Sequence, residues 1–370
     1  MMHSKEYESA SRRSSSRIFI ASVVLLAIAV LMLTVSIVEN RRSLPFFRDR
    51  NAFSLESGSS VTYAAAGSGL AAATTEHIQL FSSRGKCVAE EEVSLAEPAC
   101  AGSALLGVYY DVGQPGFRAL YPDGTVRKTD TPGPVYFADV NETGLITVLL
   151  EKSGYKGSVM VYDTDLSPLF RWDAGSGYPV AARTSPDDRL CVSTAAARGS
   201  DLHFFRIDRE EEQALFSIPG EVVLDLDFLA DGTLAAVTEE QLLLVRADGT
   251  LAASRPFEGL HLDAWVLEGS FAAVSTVTGL EGGSAVLTTL DSGGHILGSR
   301  TTDRDVLSLS GAGDRLLVLY AGEESTLYSS DLEEDISYQP GEGMTRVFLS
   351  ADGRAIFAGD PGAVQINFDS

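Results

Sequence analysis

The chain contains one long apolar run and, beyond residue 50, many short apolar runs separated by turns. The segment "LITVLLEK" (145–152) precedes "KGSVMVYD" (156–163), and "TLAAVTEE" (233–240) precedes "QLLLVRAD" (241–248). Short apolar runs bounded by Gly- and Asp-rich turns are typical of β-strands. No segment beyond residue 50 has a helical period of useful length. The pattern therefore predicts an all-β body.

The turns of this body recur in two interleaved series. The first series contains "VNETGL" (140–145), "TSPDDRL" (184–190), "LADGTL" (229–234) and "SADGRA" (350–355), and the second contains "YPDGTV" (121–126), "YDTDL" (162–166) and "RADGTL" (246–251). Each series advances by roughly 40 residues per step, which is the spacing of a four-stranded propeller blade. Asp-Gly pairs supply the positive φ angles of hairpin turns. We predict a β-propeller of four-stranded blades, with a β-sandwich of coincidental spacing as the alternative.

The repeat predicts eight blades, with seven as the alternative because one unit is faint. The units are 60–98, 99–133, 134–178, 179–221, 222–259, 260–303, 304–343 and 344–370, and the faint one is 99–133. The last unit offers three strands, and "RNAFSLES" (50–57) would supply the fourth. Pairing between the two ends of the chain would leave no free sheet edge where the ring closes. We expect Trp172 to pack between neighbouring blades.

The long apolar run, residues 18–38, contains no charged residue. As a helix rising about 1.5 Å per residue it would span roughly 30 Å, the hydrocarbon thickness of a bilayer. A cleaved signal peptide is the alternative, although "SIVENRRS" is a poor cleavage site. We predict a cytoplasmic tail (1–17), a single transmembrane helix (18–38), a basic tether (39–50) and an extracytoplasmic propeller (51–370). The N-terminus would lie on the cytoplasmic side of the membrane, since the short tail can stay in the cytoplasm while a long domain is exported.

The net charge of −23 is unevenly distributed along the chain. Residues 1–50 carry 8 Lys and Arg against 4 Asp and Glu, whereas the remainder carries 20 against 47. Phosphate backbones are bound by clustered Lys and Arg, so the acidic body excludes nucleic acid as a direct ligand. The charge indicates either plain solubility or a surface for a cation or a basic partner.

No motif of catalytic, metal or cofactor chemistry stands out in the sequence. It contains no G-x-S-x-G elbow, no Walker loop and no CxxC pair, so we predict no catalytic residue, no metal site and no cofactor. Cys87 and Cys100 could form a disulfide, or these two and Cys191 could be free thiols. The five histidines are His3, His77, His203, His261 and His295, and no two of them lie at the i, i+2 or i, i+4 spacing of metal ligands.

Two aspartates are the only candidate binding residues that the repeat suggests. Asp139 in "FADVNETG" and Asp227 in "LDFLADG" occupy matching places in the first strands of their units. First strands line the central channel of a propeller, where these carboxylates could bind a cation or a basic side chain. The alternative is that they accept hydrogen bonds from backbone amides at the channel rim.

Several motifs resemble those of known propellers. "SPDD" (185–188), "SADG" (350–353) and "MVYDTDLSPLFRW" (160–172) resemble the turns of bacterial propellers related to WD-repeat proteins. Over residues 18–370 the chain resembles a family of Gram-positive, membrane-anchored proteins, that of the domain of unknown function 5711. The resemblance implies one N-terminal span, a short basic linker and an exported propeller. No Gly-His followed by Trp-Asp is in register, so the partners of eukaryotic WD-repeat scaffolds are not implied.

Three functional hypotheses follow, and the question of enzymatic activity stays open. The first is a non-catalytic binding or scaffold module for an envelope protein or a cell-wall polymer. The second is an exported hydrolase or lyase whose active site lies at the channel rim. The third is a sensor that signals through the span to a partner in the membrane. Fold alone does not separate these hypotheses.

Overall fold

The chain divides into two compact units, Met1–Phe46 and Phe47–Ser370. The computed structural model describes residues 51–53, 61–209, 211–279, 284–360 and 362–368, all within the second unit. The predicted tail, span and tether lie outside the described residues. Within these ranges every regular element is a strand, and no helix is long and apolar enough to cross a membrane.

The strands are numbered in chain order. The first group is β1 (Asn51–Phe53), β2 (Thr62–Ala66), β3 (Gly69–Ala73), β4 (His77–Phe81), β5 (Cys87–Glu92), β6 (Pro98–Gly102), β7 (Gly107–Asp111), β8 (Gln114–Leu120) and β9 (Val126–Val140). The second group is β10 (Ile146–Leu150), β11 (Gly157–Tyr162), β12 (Pro168–Ala174), β13 (Tyr178–Thr184), β14 (Arg189–Ala196), β15 (Gly199–Arg206), β16 (Ala214–Pro219), β17 (Val223–Phe228), β18 (Leu234–Thr238), β19 (Gln241–Val245) and β20 (Leu251–Pro256). The third group is β21 (His261–Val266), β22 (Phe271–Val277), β23 (Ala285–Asp291), β24 (Ile296–Thr302), β25 (Val306–Ala312), β26 (Arg315–Tyr320), β27 (Glu324–Ser329), β28 (Glu334–Tyr338), β29 (Met344–Leu349), β30 (Arg354–Gly359) and β31 (Gly362–Asn367).

The strands form seven antiparallel sheets that contain eight repeat units. Six sheets have four strands each, and the seventh runs from β6 to β12. Units 1, 4, 5, 6 and 7 are β2–β5, β13–β16, β17–β20, β21–β24 and β25–β28, and unit 8 is β29–β31 with β1. Units 2 and 3 share β9, which pairs with β8 and then with β10. The sequence places a boundary between residues 133 and 134, whereas the strand continues through that point.

The two ends of the body meet in unit 8. Asn51 pairs with Gln365 and Phe53 pairs with Ala363, so β1 is the fourth strand of that sheet. Phe53 is buried and meets the Phe81 ring edge-on, with the centroids 5.5 Å apart. Since Phe81 belongs to unit 1, the hydrophobic contact continues from the last unit to the first. β1 therefore completes a four-stranded unit 8, and this unit packs on unit 1.

The hydrophobic core is divided among the interfaces between neighbouring units. Central strands such as β10 and β18 are buried along their whole length, because a neighbouring unit covers each of their two faces. This explains the continuous apolar runs of the sequence. Trp172 of unit 3 packs on Phe205 and His203 of unit 4, at centroid distances of 5.2 and 4.8 Å. Its predicted position between neighbouring units is confirmed.

The turns have the backbone geometry that their sequences predict. In the turns "LADGTL", "RADGTL" and "SADGRA", the glycines Gly232, Gly249 and Gly353 have φ angles of +84°, +77° and +78°. These values lie in the left-handed region, where a side chain with a Cβ is strained. The repeated Asp-Gly pair therefore marks the reversals of the chain for a local steric reason.

Candidate functional site at the inner strands

The first strand of each unit is the innermost one. The first strands of several neighbouring units contact each other, as β13 contacts β17 and β25 contacts β29. Side chains on these strands come together although they are far apart in the sequence. The candidate site lies where the first strands of units 3 to 8 meet.

Arg183 occupies the position in unit 4 that the two predicted aspartates occupy in units 3 and 5. Asp139, Arg183 and Asp227 are spaced 44 residues apart, and each lies two residues before the first turn of its unit. In each of these turns a backbone N–H bonds the carbonyl four residues later: Asn141 to Leu145, Ser185 to Arg189 and Leu229 to Thr233. One basic side chain is thus placed between two acidic ones by the repeat itself.

Arg183 forms ion pairs with three carboxylates. Its Nε lies 3.7 Å from Oδ2 of Asp139 and 3.9 Å from Oδ2 of Asp227. Its Nη2 donates to Oδ1 of Asp225 over 3.3 Å. The guanidinium carbon also lies 5.0 Å from the centroid of the Phe137 ring, within the range of a cation–π contact. The Arg183 side chain is only 17% exposed, so these contacts fix its position.

Asp225 joins a fourth unit to the group. Its Oδ2 accepts the indole N–H of Trp265 over 3.1 Å, while its Oδ1 accepts Leu226 N–H over 2.9 Å and pairs with Arg183. Asp227 likewise accepts Phe228 N–H over 2.7 Å. The sequence predicts that these two aspartates bind a cation or a basic side chain, or that they accept hydrogen bonds from backbone amides. Asp227 lies beside Arg183 and accepts a backbone N–H, and Asp139 lies beside the same arginine. Binding of a cation or of a partner's side chain stays a prediction.

Enclosure by protein changes the protonation equilibria of this group. Burial raises the pKa of Asp139, and it raises the pKa of Asp227 well above the usual range, with Arg183 opposing both shifts. Burial also raises the pKa of Glu268 to about 7, although this side chain reaches solvent. Burial tends to lower the pKa of Arg183, but the surrounding carboxylates outweigh it and raise that pKa. We call Arg183, Asp139, Asp225, Asp227 and Glu268 the Arg183 cluster.

A cavity of about 180 Å³ opens beside the Arg183 cluster. Its walls come from the first strands of five units and from the residues just after β21. They include Arg183, Asp225, Asp227, Trp265, Glu268, Ser308, Ser310, Arg346 and Phe348. The hydroxyls of Ser308 and Ser310 accept the backbone N–H groups of Val347 and Leu349 over 3.2 and 2.9 Å. These bonds join units 7 and 8 and fix that wall. We call this space the inner cavity.

The same strands carry exposed aliphatic side chains at register shifts. Val180, Leu224 and Leu307 each lie where one residue is left out of the pairing with the next strand. Their side chains are 39%, 40% and 45% exposed. Such bulges commonly redirect a side chain at a binding or active site. Val180 and Leu224 lie three residues before Arg183 and Asp227, so they recur with the same period as the cluster.

The groups that line this site are charged, hydrogen-bonding and apolar side chains. Among the residues that the structure describes, no group of three His, Cys, Asp or Glu side chains is arranged to hold a metal ion. The described histidines pair locally, as His203 does with Glu212 over 2.8 Å, or are exposed, as His261 is. The three cysteines are free thiols, and burial raises the pKa of Cys100 to about 12. The Arg183 cluster offers fixed charges of both signs and hydrogen-bonding groups next to apolar side chains.

Sequence reasoning missed four members of the site: Arg183, Asp225, Trp265 and Glu268. Arg183 had a usable signal, since it is 44 residues from each predicted aspartate. Asp225 also had one, because residues i and i+2 of a strand share a face. The sequence contained no signal for Trp265 and Glu268. Register shifts in β17 and β21 change the spacing between equivalent residues of units 5 and 6.

Comparisons with known proteins agree with this architecture. The model of a family of unknown function, DUF5711, matches residues 48–366. None of the curated proteins compared with the chain matches it. Among solved structures, the computationally designed Ika8 protein has a TM-score of 0.66 at 12% identity, covering 86% of this chain and 99% of that chain.

Two natural proteins are similar at the same level. The C-terminal WD40 domain of Sif2 has a TM-score of 0.62 at 11% identity, covering 87% of this chain and 99% of that chain. BamB from Moraxella catarrhalis has a TM-score of 0.58 at 12% identity, covering 86% and 98%. Similarity at these identities shows the fold alone, and the fold is a WD40-like β-propeller.

Proposed function

Since the chain belongs to DUF5711, a family of unknown function, we propose from the geometry that it is a non-catalytic binding module. The module would hold a protein of the cell envelope against the inner strands of the propeller. A side chain of that partner would enter the inner cavity, and apolar residues around it would contact Val180 and Leu224. The structural observation that carries this proposal is the inner cavity with its fixed charges, lined by strands that also carry the exposed Val180 and Leu224.

The size of the inner cavity favours a protein partner over a free small molecule. Sites for small molecules usually measure about 300 to 1,000 Å³. The inner cavity measures about 180 Å³, which suits one inserted side chain. Binding energy in protein interfaces is concentrated in a few anchors of this kind, which fill pockets surrounded by apolar contacts. The remaining contact area would come from neighbouring loops and strand ends.

The charge of the site favours a basic anchor. Four carboxylates surround Arg183, and three of them line the inner cavity with Arg183 and Arg346. A Lys or Arg side chain of the partner would find carboxylate acceptors. Its positive charge would also be complementary to the negative charge of the body. Since burial raises the pKa of Glu268 to about 7, binding a cation beside it would release a proton near neutral pH.

We also propose the location that the sequence predicts. Residues 18–38 would anchor the protein in the cytoplasmic membrane, with 1–17 inside and 39–50 as a tether. The propeller, residues 51–370, would then face the envelope, where it meets envelope proteins or a cell-wall polymer. Support for this comes from the uncharged apolar run and its basic flanks. A membrane-impermeant amine-reactive reagent applied to whole cells should label lysines of the body, such as Lys128 and Lys156.

The test of the binding function is photo-crosslinking in cells from the inner strands. A photoreactive residue replaces Val180 in the full-length tagged protein, and crosslinked partners are identified by mass spectrometry. The test variant adds Leu224→Asp, which puts a charge among the aliphatic side chains. The matched control adds Leu251→Asp, since Leu251 is 44% exposed but lies on β20, the last strand of unit 5.

We expect one reproducible envelope partner, retained in the control and reduced at least tenfold by Leu224→Asp at an unchanged thermal midpoint. Equal capture by both variants would contradict the proposed surface. Capture of abundant background alone would reject a stable protein partner. The exported enzyme and the sensor would then become the hypotheses to pursue, beginning with assays of hydrolase and lyase turnover.

A further inference from the structure

A second cavity, of about 420 Å³, lies at the outer strands of units 6 and 7. Its walls include Arg300 on β24, Arg304 just after β24, Tyr320 at the end of β26, and Glu324 and Tyr328 on β27. It shares no lining residue with the inner cavity. Its volume falls in the lower part of the range of small-molecule sites. We call it the Arg–Tyr cleft.

Two arginines of the Arg–Tyr cleft lie against buried tyrosine rings. The guanidinium carbon of Arg300 lies 5.2 Å from the centroid of the Tyr328 ring, and that of Arg304 lies 5.4 Å from the centroid of Tyr320. The two tyrosines are almost fully buried, and their hydroxyl oxygens are 2.9 Å apart. Each arginine therefore rests on a buried ring that is itself fixed by a hydrogen bond. A site whose donors are preorganised in this way loses less conformational entropy on binding.

Each arginine of the cleft also has a carboxylate partner. Arg300 Nη2 donates to Glu334 Oε2 over 3.3 Å, and Arg304 Nη1 lies 2.6 Å from Glu324 Oε1. A guanidinium has five N–H donors, so each ion pair leaves further donors for a ligand. The carboxylates of Glu324 and Glu334 likewise keep lone pairs that can accept hydrogen bonds from a ligand. Asp303 is a third carboxylate in the lining. The lining therefore carries three acidic side chains and two basic ones.

The two ion pairs decide which class of ligand fits. An anionic ligand would compete with Glu324 and Glu334 for the arginines, and a cationic ligand would compete with the arginines for those carboxylates. A neutral ligand with many hydroxyl groups can accept from the guanidinium groups and donate to the carboxylates without breaking either ion pair. Hydroxyl side chains complete the lining: Ser284, Thr301, Thr302 and Thr326.

We propose that the Arg–Tyr cleft binds a neutral saccharide, of a size of one or two sugar rings, between Arg300 and Arg304. The ion pairs with Glu334 and Glu324 act as paired donors and acceptors for neighbouring hydroxyl groups of the sugar. The tyrosines position the arginines and do not stack on the sugar, since the arginines cover their rings. This site is independent of the partner proposed for the inner cavity.

Saturation-transfer NMR on the full-length protein in a detergent without sugar groups tests the proposal. The probes are cellobiose and the disaccharide of N-acetylglucosamine, with glucuronate and glucosamine as charged counterparts. The test variant is Arg304→Lys, which keeps the charge but loses the planar fork of donors. The control variant is Arg171→Lys, because Arg171 is also an exposed arginine paired with a carboxylate, that of Asp173.

We expect at least one neutral disaccharide to receive saturation, with affinity reduced about tenfold by Arg304→Lys and unchanged by Arg171→Lys. A thermal midpoint equal to that of the parent protein shows that the variant is folded. Three results would overturn the proposal. These are no transfer to either neutral sugar, transfer that Arg304→Lys leaves unchanged, and transfer to a charged sugar alone.

Discussion

Arg183 on β13 donates to the carboxylate of Asp225 on β17 over 3.3 Å, and this pair connects the inner strands of units 4 and 5. The residues are separated by 42 positions in the sequence. The same carboxylate accepts the indole N–H of Trp265 from unit 6. The Asp225 carboxylate thus contacts side chains of units 4 and 6 and helps to set the relative position of three consecutive units. It lies beside the cavity that we propose as the binding site.

We predict that Arg183→Met destabilises the protein by about 3 kcal/mol at neutral pH, because removing one partner leaves enclosed carboxylates without their cation. The loss should shrink as the pH falls, since the raised pKa of Asp139 and of Asp227 lets these groups become protonated. Chemical denaturation at several pH values measures the effect. Arg171→Met is the control and should cost less than about 1 kcal/mol, because its ion pair is exposed. Equal losses for both variants would show that the cluster contributes no special stability.

Glu268→Gln should change how stability depends on pH. The pKa of Glu268 is about 7 in the folded protein and near its ordinary value of 4.5 when unfolded. The folded state therefore holds the proton more tightly, and this contribution is complete below pH 4.5 and is lost as the pH rises through about 7. We expect the variant to lose less stability than the parent between these two pH values.

Denaturation midpoints at four pH values across that window measure the prediction. Glu240→Gln provides the control, because Glu240 is exposed in the turn between β18 and β19. Parallel curves for the parent protein and Glu268→Gln would contradict the raised pKa.

Trp265→Phe removes the donor to Asp225 and keeps an aromatic ring. We expect a loss of about 1.5 to 3 kcal/mol, the usual cost when a hydrogen bond to a charged group is removed. Trp265 and Trp172 are the two tryptophans of the chain, so the variant reports unfolding through Trp172 alone. Guanidinium denaturation followed by fluorescence measures the loss. In the double variant with Asp225→Asn the two effects should not add, because both residues belong to one hydrogen-bonded group.

Phe53→Ala tests the closure of the ring by β1. Phe53 is 5% exposed and contacts Phe81 of unit 1, so we expect a loss of about 3 to 4 kcal/mol. Hydrogen exchange should also become faster in β31, whose backbone pairs with β1. Leu251→Ala, at an exposed position, should have little effect on either measurement. Unchanged exchange in β31 would mean that β1 contributes little to unit 8.

The repeat of strands and turns is readable in the sequence because its causes are local. A strand covered on both faces must be apolar throughout, as β10 and β18 are, and a hairpin turn needs a positive φ, as at Gly232. The continuity of β9 across two units was not readable. It depends on whether residues near Gly133 and Pro134 pair with β8 and β10, and such pairing joins distant parts of the chain.

The candidate site shows the same division. The sequence by itself determined that Asp139 and Asp227 occupy matching positions on inner strands, because the repeat fixes a residue's place within its unit. Only the tertiary structure decided that Arg183 reaches both of them, and that Asp225, Trp265 and Glu268 join the group. The physical reason is that a strand pattern fixes the direction of a side chain within its own sheet. The distance between side chains of different sheets depends on how the units pack around the ring.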